Sequence, residues 1–159
     1  QKLLKKQAGY KLAEVTGKAS SAFASNWENK TIELGKNTFG WKSLKLNFGK
    51  KEVTMNVTET NGKSYELPFG YQQWMTTTFD AYPPYSITPI DRFKGLEGPY
   101  YASGSYAWIS KEELQLKVHY VNWVSALEIT FRMDENGEVK LNVQTNYIKK
   151  PYRISGKIK

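Results

Sequence analysis

From about Lys30 onward, apolar residues recur at every second position, which is the spacing of half-buried antiparallel strands. Leu44, Leu46 and Phe48 alternate with Lys45 and Asn47, and Val53, Met55 and Val57 alternate with Thr54, Asn56 and Thr58. Tyr65, Leu67 and Phe69 follow. After a Pro-rich stretch the alternation resumes at Tyr106 and Trp108, at Leu114, Leu116, Val118 and Tyr120, at Leu127, Ile129, Phe131 and Met133, and at Val139, Leu141 and Val143. Each run offers one apolar face, so Leu46, Met55, Leu67, Val118, Ile129 and Leu141 are expected to share one interior.

Parity constrains the turns, because the inward sets of a hairpin must lie opposite one another and a slip of one residue turns every side chain over. The sets Val53–Val57 and Tyr65–Phe69 are both odd-numbered, which predicts a three-residue loop at Thr60-Asn61-Gly62 with Gly62 left-handed. Met133 against Val139 predicts the same loop at Glu135-Asn136-Gly137. Phe48 and Val53 differ in parity, so Lys50-Lys51 form the centre of an even loop. Aligned in the same way, the next hairpin sets the lone His119 opposite Glu128 as a cross-strand pair.

These runs predict an all-β fold, an antiparallel up-and-down meander of about eight strands closed or nearly closed into a barrel, since closure removes exposed edges. The connection from Gln72 to Pro99 is the one long excursion. Its Tyr82-Pro83-Pro84-Tyr85 and Pro89 exclude a regular central strand there, and it is expected to cap an opening. Residues 1–29 read as a short helix or helical linker from an upstream domain, and residues 30–159 as the barrel domain. A beginning in mid-pattern at Gln1 leads us to expect a piece of a longer chain.

At 159 residues the chain suits one domain with a real core. It has no Cys, which removes disulfides, thiolate metal sites and Cys nucleophiles together. The net charge of +8 sits in the two terminal segments and leaves the body between them near neutral. A phosphate-tracking groove needs its basic residues concentrated on one surface, so nucleic acid is not the expected partner. No apolar run approaches the roughly 20 residues of a membrane-spanning helix.

Candidate chemistry is sparse. One His and no Cys provide no metal-ligand set, so no metal and no cofactor are expected. Ser-x-x-Lys, Gly-x-Ser-x-Gly and Gly-rich phosphate loops do not occur. Tyr120-Val121-Asn122 matches a short Tyr-x-Asn element of penicillin-recognising hydrolases, but it lies in a strand feeding a hairpin and reads as core. The aromatics remain. Five Trp, eleven Tyr and seven Phe exceed what the alternation uses, with several at strand ends or in loops. Trp27, Trp41, Trp74, Tyr82, Tyr85 and Trp123 are the candidates for a ligand-contacting or domain-docking aromatic patch.

Four short elements occur in a recognisable order: Asn37 to Leu44 (NTFGWKSL), Phe69 to Trp74 (FGYQQW), Ala102 to Trp108 (ASGSYAW) and Ser155 to Lys157 (SGK). Over residues 30–159 this order resembles the C-terminal domain appended to β-lactamase-like serine hydrolases of the Bacteroidetes. The resemblance implies a lipocalin-like barrel that follows a penicillin-binding-protein-type catalytic domain in a protein of the periplasm or cell envelope. That group's Ser-x-x-Lys nucleophile would lie upstream, so no catalytic residue is carried onto this chain. Segment 79–99 departs from the pattern by its length. The expectation is a non-catalytic accessory domain whose partner is the serine hydrolase domain of the same chain. The alternative is a lipocalin-like barrel that binds a small apolar or glycan ligand.

Overall fold

The computed structural model describes residues 12–84 and 98–159. Ten strands follow in order: β1 (Thr31–Leu34), β2 (Trp41–Phe48), β3 (Glu52–Glu59), β4 (Ser64–Tyr71), β5 (Met75–Phe79), β6 (Tyr100–Trp108), β7 (Leu114–Tyr120), β8 (Ala126–Met133), β9 (Val139–Thr145) and β10 (Tyr152–Ile158). They form one sheet in the order β4-β3-β2-β1-β10-β9-β8-β7-β6-β5. A further parallel pairing of β4 with β6, Gly70 opposite Ser105 and Tyr71 opposite Tyr106, closes nine of them into a barrel and leaves β5 outside the ring. The barrel is thus one strand larger than expected.

The alternation places the core. Leu46, Met55, Leu67, Val118, Ile129 and Leu141 are all buried in a single cluster, and Phe69, Tyr106, Leu116 and Phe131 fill the space between them. The turn arithmetic holds at three hairpins. Glu59 N–H donates to the Lys63 carbonyl at 2.8 Å and Asp134 N–H to the Glu138 carbonyl at 2.9 Å, each enclosing three residues whose glycine has positive φ, 88° at Gly62 and 78° at Gly137. Gly49 N–H donates to the Glu52 carbonyl at 2.8 Å and leaves Lys50-Lys51 as the loop.

The register of β7 against β8 differs from expectation. His119 faces Ala126, and Lys117 faces Glu128. Tyr120 N–H reaches the Ser125 carbonyl at 3.2 Å, so the turn is Val121–Val124, one residue earlier than the expected alignment needs on its first strand. The resulting shift of two preserves which face each side chain takes, and parity is blind to it. Glu128 accepts instead from Gln115 Nε2 at 2.8 Å.

A second difference lies in the excursion. Its prolines begin only at Pro83, and the Met-Thr-Thr-Thr-Phe run before them forms β5, antiparallel to the first half of β6. Residues 85–97, with Tyr85 and Pro89, lie outside the described residues, as do residues 1–11. Where β4 meets β6 the backbones are so close that a Cβ at Gly104 would collide with the Pro68 carbonyl oxygen and stand 2.7 Å from Phe69 Cδ1. Only glycine permits that approach.

Within 12–29, residues Leu12–Ser20 run as an irregular strap over the outside of β6 and β7, and a single 3-10 turn spans Ala22–Asn26. Val15 N–H donates to Ser105 Oγ (3.3 Å), while the Tyr71 and Tyr106 hydroxyls donate to the Gly17 and Ala19 carbonyls (3.0 and 2.9 Å). Lys18 and Trp108 exchange two backbone hydrogen bonds of 2.9 Å. The strap then delivers Trp27 into one end of the barrel.

Candidate functional site

Both barrel ends are closed by aromatic rings, but differently. At the end holding the β6–β7 and β8–β9 turns, Trp27 is fully buried and stacks on Trp108 with centroids 5.5 Å apart and planes 7° from parallel, with Phe23 edge-on at 5.3 Å. It is a plug. Trp41 opens β2 near the opposite end and is also buried, stacked on Phe39 at 4.7 Å. Asn37 builds that corner: its Oδ1 accepts from the Phe39 and Trp41 N–H groups, and its Nδ2 donates to the Gly35 and Trp41 carbonyls.

Trp74 belongs to neither end. It lies on the outer wall, donates through Nε1 to the Leu12 carbonyl at 3.0 Å, and meets the His119 ring edge-on at 5.3 Å. Burial, together with the nearby Lys117 ammonium, lowers the His119 pKa below the ordinary histidine value. The expected outward orientation of His119 is correct, but Trp74 covers it.

Tyr82 and Trp123 are brought together through Tyr100, whose ring is 5.9 Å from the first and 5.6 Å from the second. They mark the end of the barrel opposite the Trp27 plug. Here Asn122 clamps the start of β6, accepting from Tyr101 N–H at 2.9 Å and donating to the Pro99 carbonyl at 3.1 Å. Asn146 clamps the neighbouring turn, accepting from Ala126 N–H and donating to the Val124 carbonyl, both at 2.9 Å. Tyr82, Tyr101, Val121, Val124 and Ile148 all project into solvent around this cluster. The six sequence candidates therefore do not form one patch: two are enclosed, one is on the wall, two share this end, and Tyr85 lies outside the described residues.

Val124 and Ile148 escaped the sequence reading, and of Tyr120-Val121-Asn122, expected as core, only Tyr120 is buried, because β7 ends there and the other two lie exposed in the turn. The available signal was a β-branched residue on each side of Asn122-Trp123, in a turn where Gly, Asn, Asp and Ser are the usual occupants.

The chemistry on offer is limited. Burial raises the pKa of the Tyr65, Tyr106 and Tyr120 hydroxyls above the ordinary tyrosine value, so near neutral pH they remain protonated. Among the described residues no three His, Asp or Glu side chains are grouped to hold a metal ion, and no helix is long and apolar enough to cross a membrane. On the outer wall, Arg132, Asp134, Lys140, Asn142, Arg153 and Ser155 border an open concavity of about 700 Å³. Its Lys140 is held by Asp134, Glu138 and Ser155, which leaves it no unpaired charge to offer. Comparison with known proteins finds no matching family model and no matching curated protein.

Proposed function

We propose that this barrel is a non-catalytic accessory domain that packs against a serine hydrolase catalytic domain and acts through its outer surface. The observation that carries the reading is the filled interior. Leu44, Leu46, Met55, Leu67, Phe69 and Ile129 are at most 1% exposed, where a ligand-carrying barrel keeps an open lumen. The ordered motifs from Asn37 to Lys157 support the choice of partner. The strap supports the choice of surface, because Leu12 is half exposed beside Trp74 and so leaves that wall open to a docked domain.

Two measurements test this. The purified chain is expected neither to hydrolyse a chromogenic cephalosporin nor to label with a fluorophosphonate; stoichiometric labelling at any Ser overturns the non-catalytic reading. The reading frame encoding Gln1 is expected to encode a Ser-x-x-Lys hydrolase domain upstream, and in that longer product amide exchange around Leu12, Trp74 and Lys117 should slow relative to the 159-residue chain. A reading frame without such a domain, or equal exchange in both, overturns the docking reading.

A further inference from the structure

The exposed apolar side chains are unevenly placed. Among the described residues, the large hydrophobic side chains that are exposed are Leu12 on the outer wall, Ile109 in the turns of one end, and Tyr82, Tyr101, Val121, Val124 and Ile148 at the end marked by the Tyr82–Tyr100–Trp123 cluster. Val121 and Val124 are 64% and 57% exposed at the apex of the β7–β8 turn. Asn122, between those valines, ties the turn to the backbone of Pro99 and Tyr101, and Asn146 holds the Val124 carbonyl. A rigid turn that presents aliphatic side chains to water gains nothing for the fold, since their burial is what would stabilise it.

Basic side chains accompany the apolar ones at this end. Among the described residues, the loops at this end carry Lys36, Lys63, Lys149 and Lys150, with Asp80 and, at the end of β3, Glu59 as the acids. At the other end the acids are largely paired, Glu113 with Arg132 and both Asp134 and Glu138 with Lys140, and Lys50, Lys51 and Lys111 stand beside them. Lys149 and Lys150 directly follow the exposed Ile148, and both are exposed.

Separate loop tips bearing single aliphatic residues, tyrosines at the same level and lysines behind them are the features that partition into the headgroup region of an anionic bilayer. The aliphatic groups enter the acyl boundary, the aromatic rings sit at the interface, and the ammonium groups meet lipid phosphates. We propose that this end of the barrel docks on an anionic lipid surface, with Val121, Val124 and Ile148 inserting and Lys149 and Lys150 supplying the electrostatic attraction. The proposal is independent of the hydrolase reading and uses a different surface.

The test is cosedimentation of the 159-residue chain with phosphatidylcholine vesicles containing or lacking about 30 mol % phosphatidylglycerol. Binding is expected only to the anionic vesicles and should weaken as salt shortens the screening length. The Lys149→Gln/Lys150→Gln variant should lose roughly fivefold in partitioning per lysine, corresponding to about 1 kcal/mol each. The Val121→Ser/Val124→Ser variant should lose binding at unchanged charge. Lys50→Gln/Lys51→Gln, an equal loss of charge at the far end, should bind like the parent, which separates a docking face from general attraction of a basic protein. Circular dichroism should be the same for all four proteins. No binding to anionic vesicles, or equal losses from the two lysine pairs, overturns the proposal. A concentration-dependent dimer abolished by the valine changes also overturns it, in favour of a second copy of the chain.

Discussion

Replacing Gly104 with Ala tests how the barrel closes. The added methyl would collide with the Pro68 carbonyl oxygen and stand 2.7 Å from Phe69 Cδ1, and a backbone carbonyl cannot rotate aside as a side-chain end can. β4 would have to move away from β6, at the one place where only two residue pairs, Gly70 with Ser105 and Tyr71 with Tyr106, join the ring. Overpacking of this kind costs about 1–3 kcal/mol, and loosening two backbone hydrogen bonds adds about 0.5–1.5 kcal/mol each. Reduced freedom of the unfolded chain returns about 0.4–1 kcal/mol. The expected net loss is about 1–5.5 kcal/mol, centred near 3, or a fall in Tm of roughly 5–15 °C around that centre for a chain of this size. Gly35→Ala is the control, because a Cβ there meets nothing closer than the Ser155 carbonyl oxygen at 3.6 Å. Urea denaturation followed by tryptophan fluorescence gives both values. If Gly104→Ala unfolds within about 0.5 kcal/mol of Gly35→Ala, the tight β4–β6 crossing is not what holds the ring shut.

Three further outcomes follow from the packing and the electrostatics. Trp27→Ala should cost about 3–5 kcal/mol by emptying the plugged end, whereas Trp27→Phe should cost clearly less in the same titration, because the buried indole N–H has no hydrogen-bond partner to lose. Asn37→Ala should cost about 2–3 kcal/mol, since one side chain makes four hydrogen bonds to the β1–β2 loop and only part of them is replaced by water. Folding lowers the His119 pKa, so the unfolded chain binds that proton more tightly, and this contribution to stability is lost as pH falls through about 6.5. His119→Gln should flatten stability against pH in that window, and an unchanged profile would remove His119 as the cause.

Much of this fold was legible because strand faces have a period of two and hairpin loops must respect it. Gly62 and Gly137 were placed in left-handed positions by parity alone. The β7–β8 register was not accessible in that way, because a shift of two residues keeps Leu116, Val118 and Tyr120 facing inward; the turn position accompanies a contact between Asn122 and the distant start of β6. β5 was hidden by reading the prolines of the excursion as a property of its whole length. Among the aromatics, composition indicated a surplus but not its destination. Trp27 and Trp41 became plugs because neighbouring rings, Trp108 and Phe39, stand ready to stack on them, and those contacts join elements far apart or across a turn. Val124 was overlooked because a search for chemistry passes over side chains that have none, and Val121 was taken for core because the strand was read one residue too long.

The closure has one more consequence. In a ring whose members alternate in direction, the alternation returns to its start only when the count is even, and a ring of nine must contain one pair running the same way. The β4–β6 seam is that pair, so its parallel sense is imposed by counting. β5, hydrogen-bonded to β6 but outside the ring, is the member whose inclusion would make ten and let every neighbour oppose the next. A ring of ten is also wider, and the side chains that fill this one would leave its centre empty.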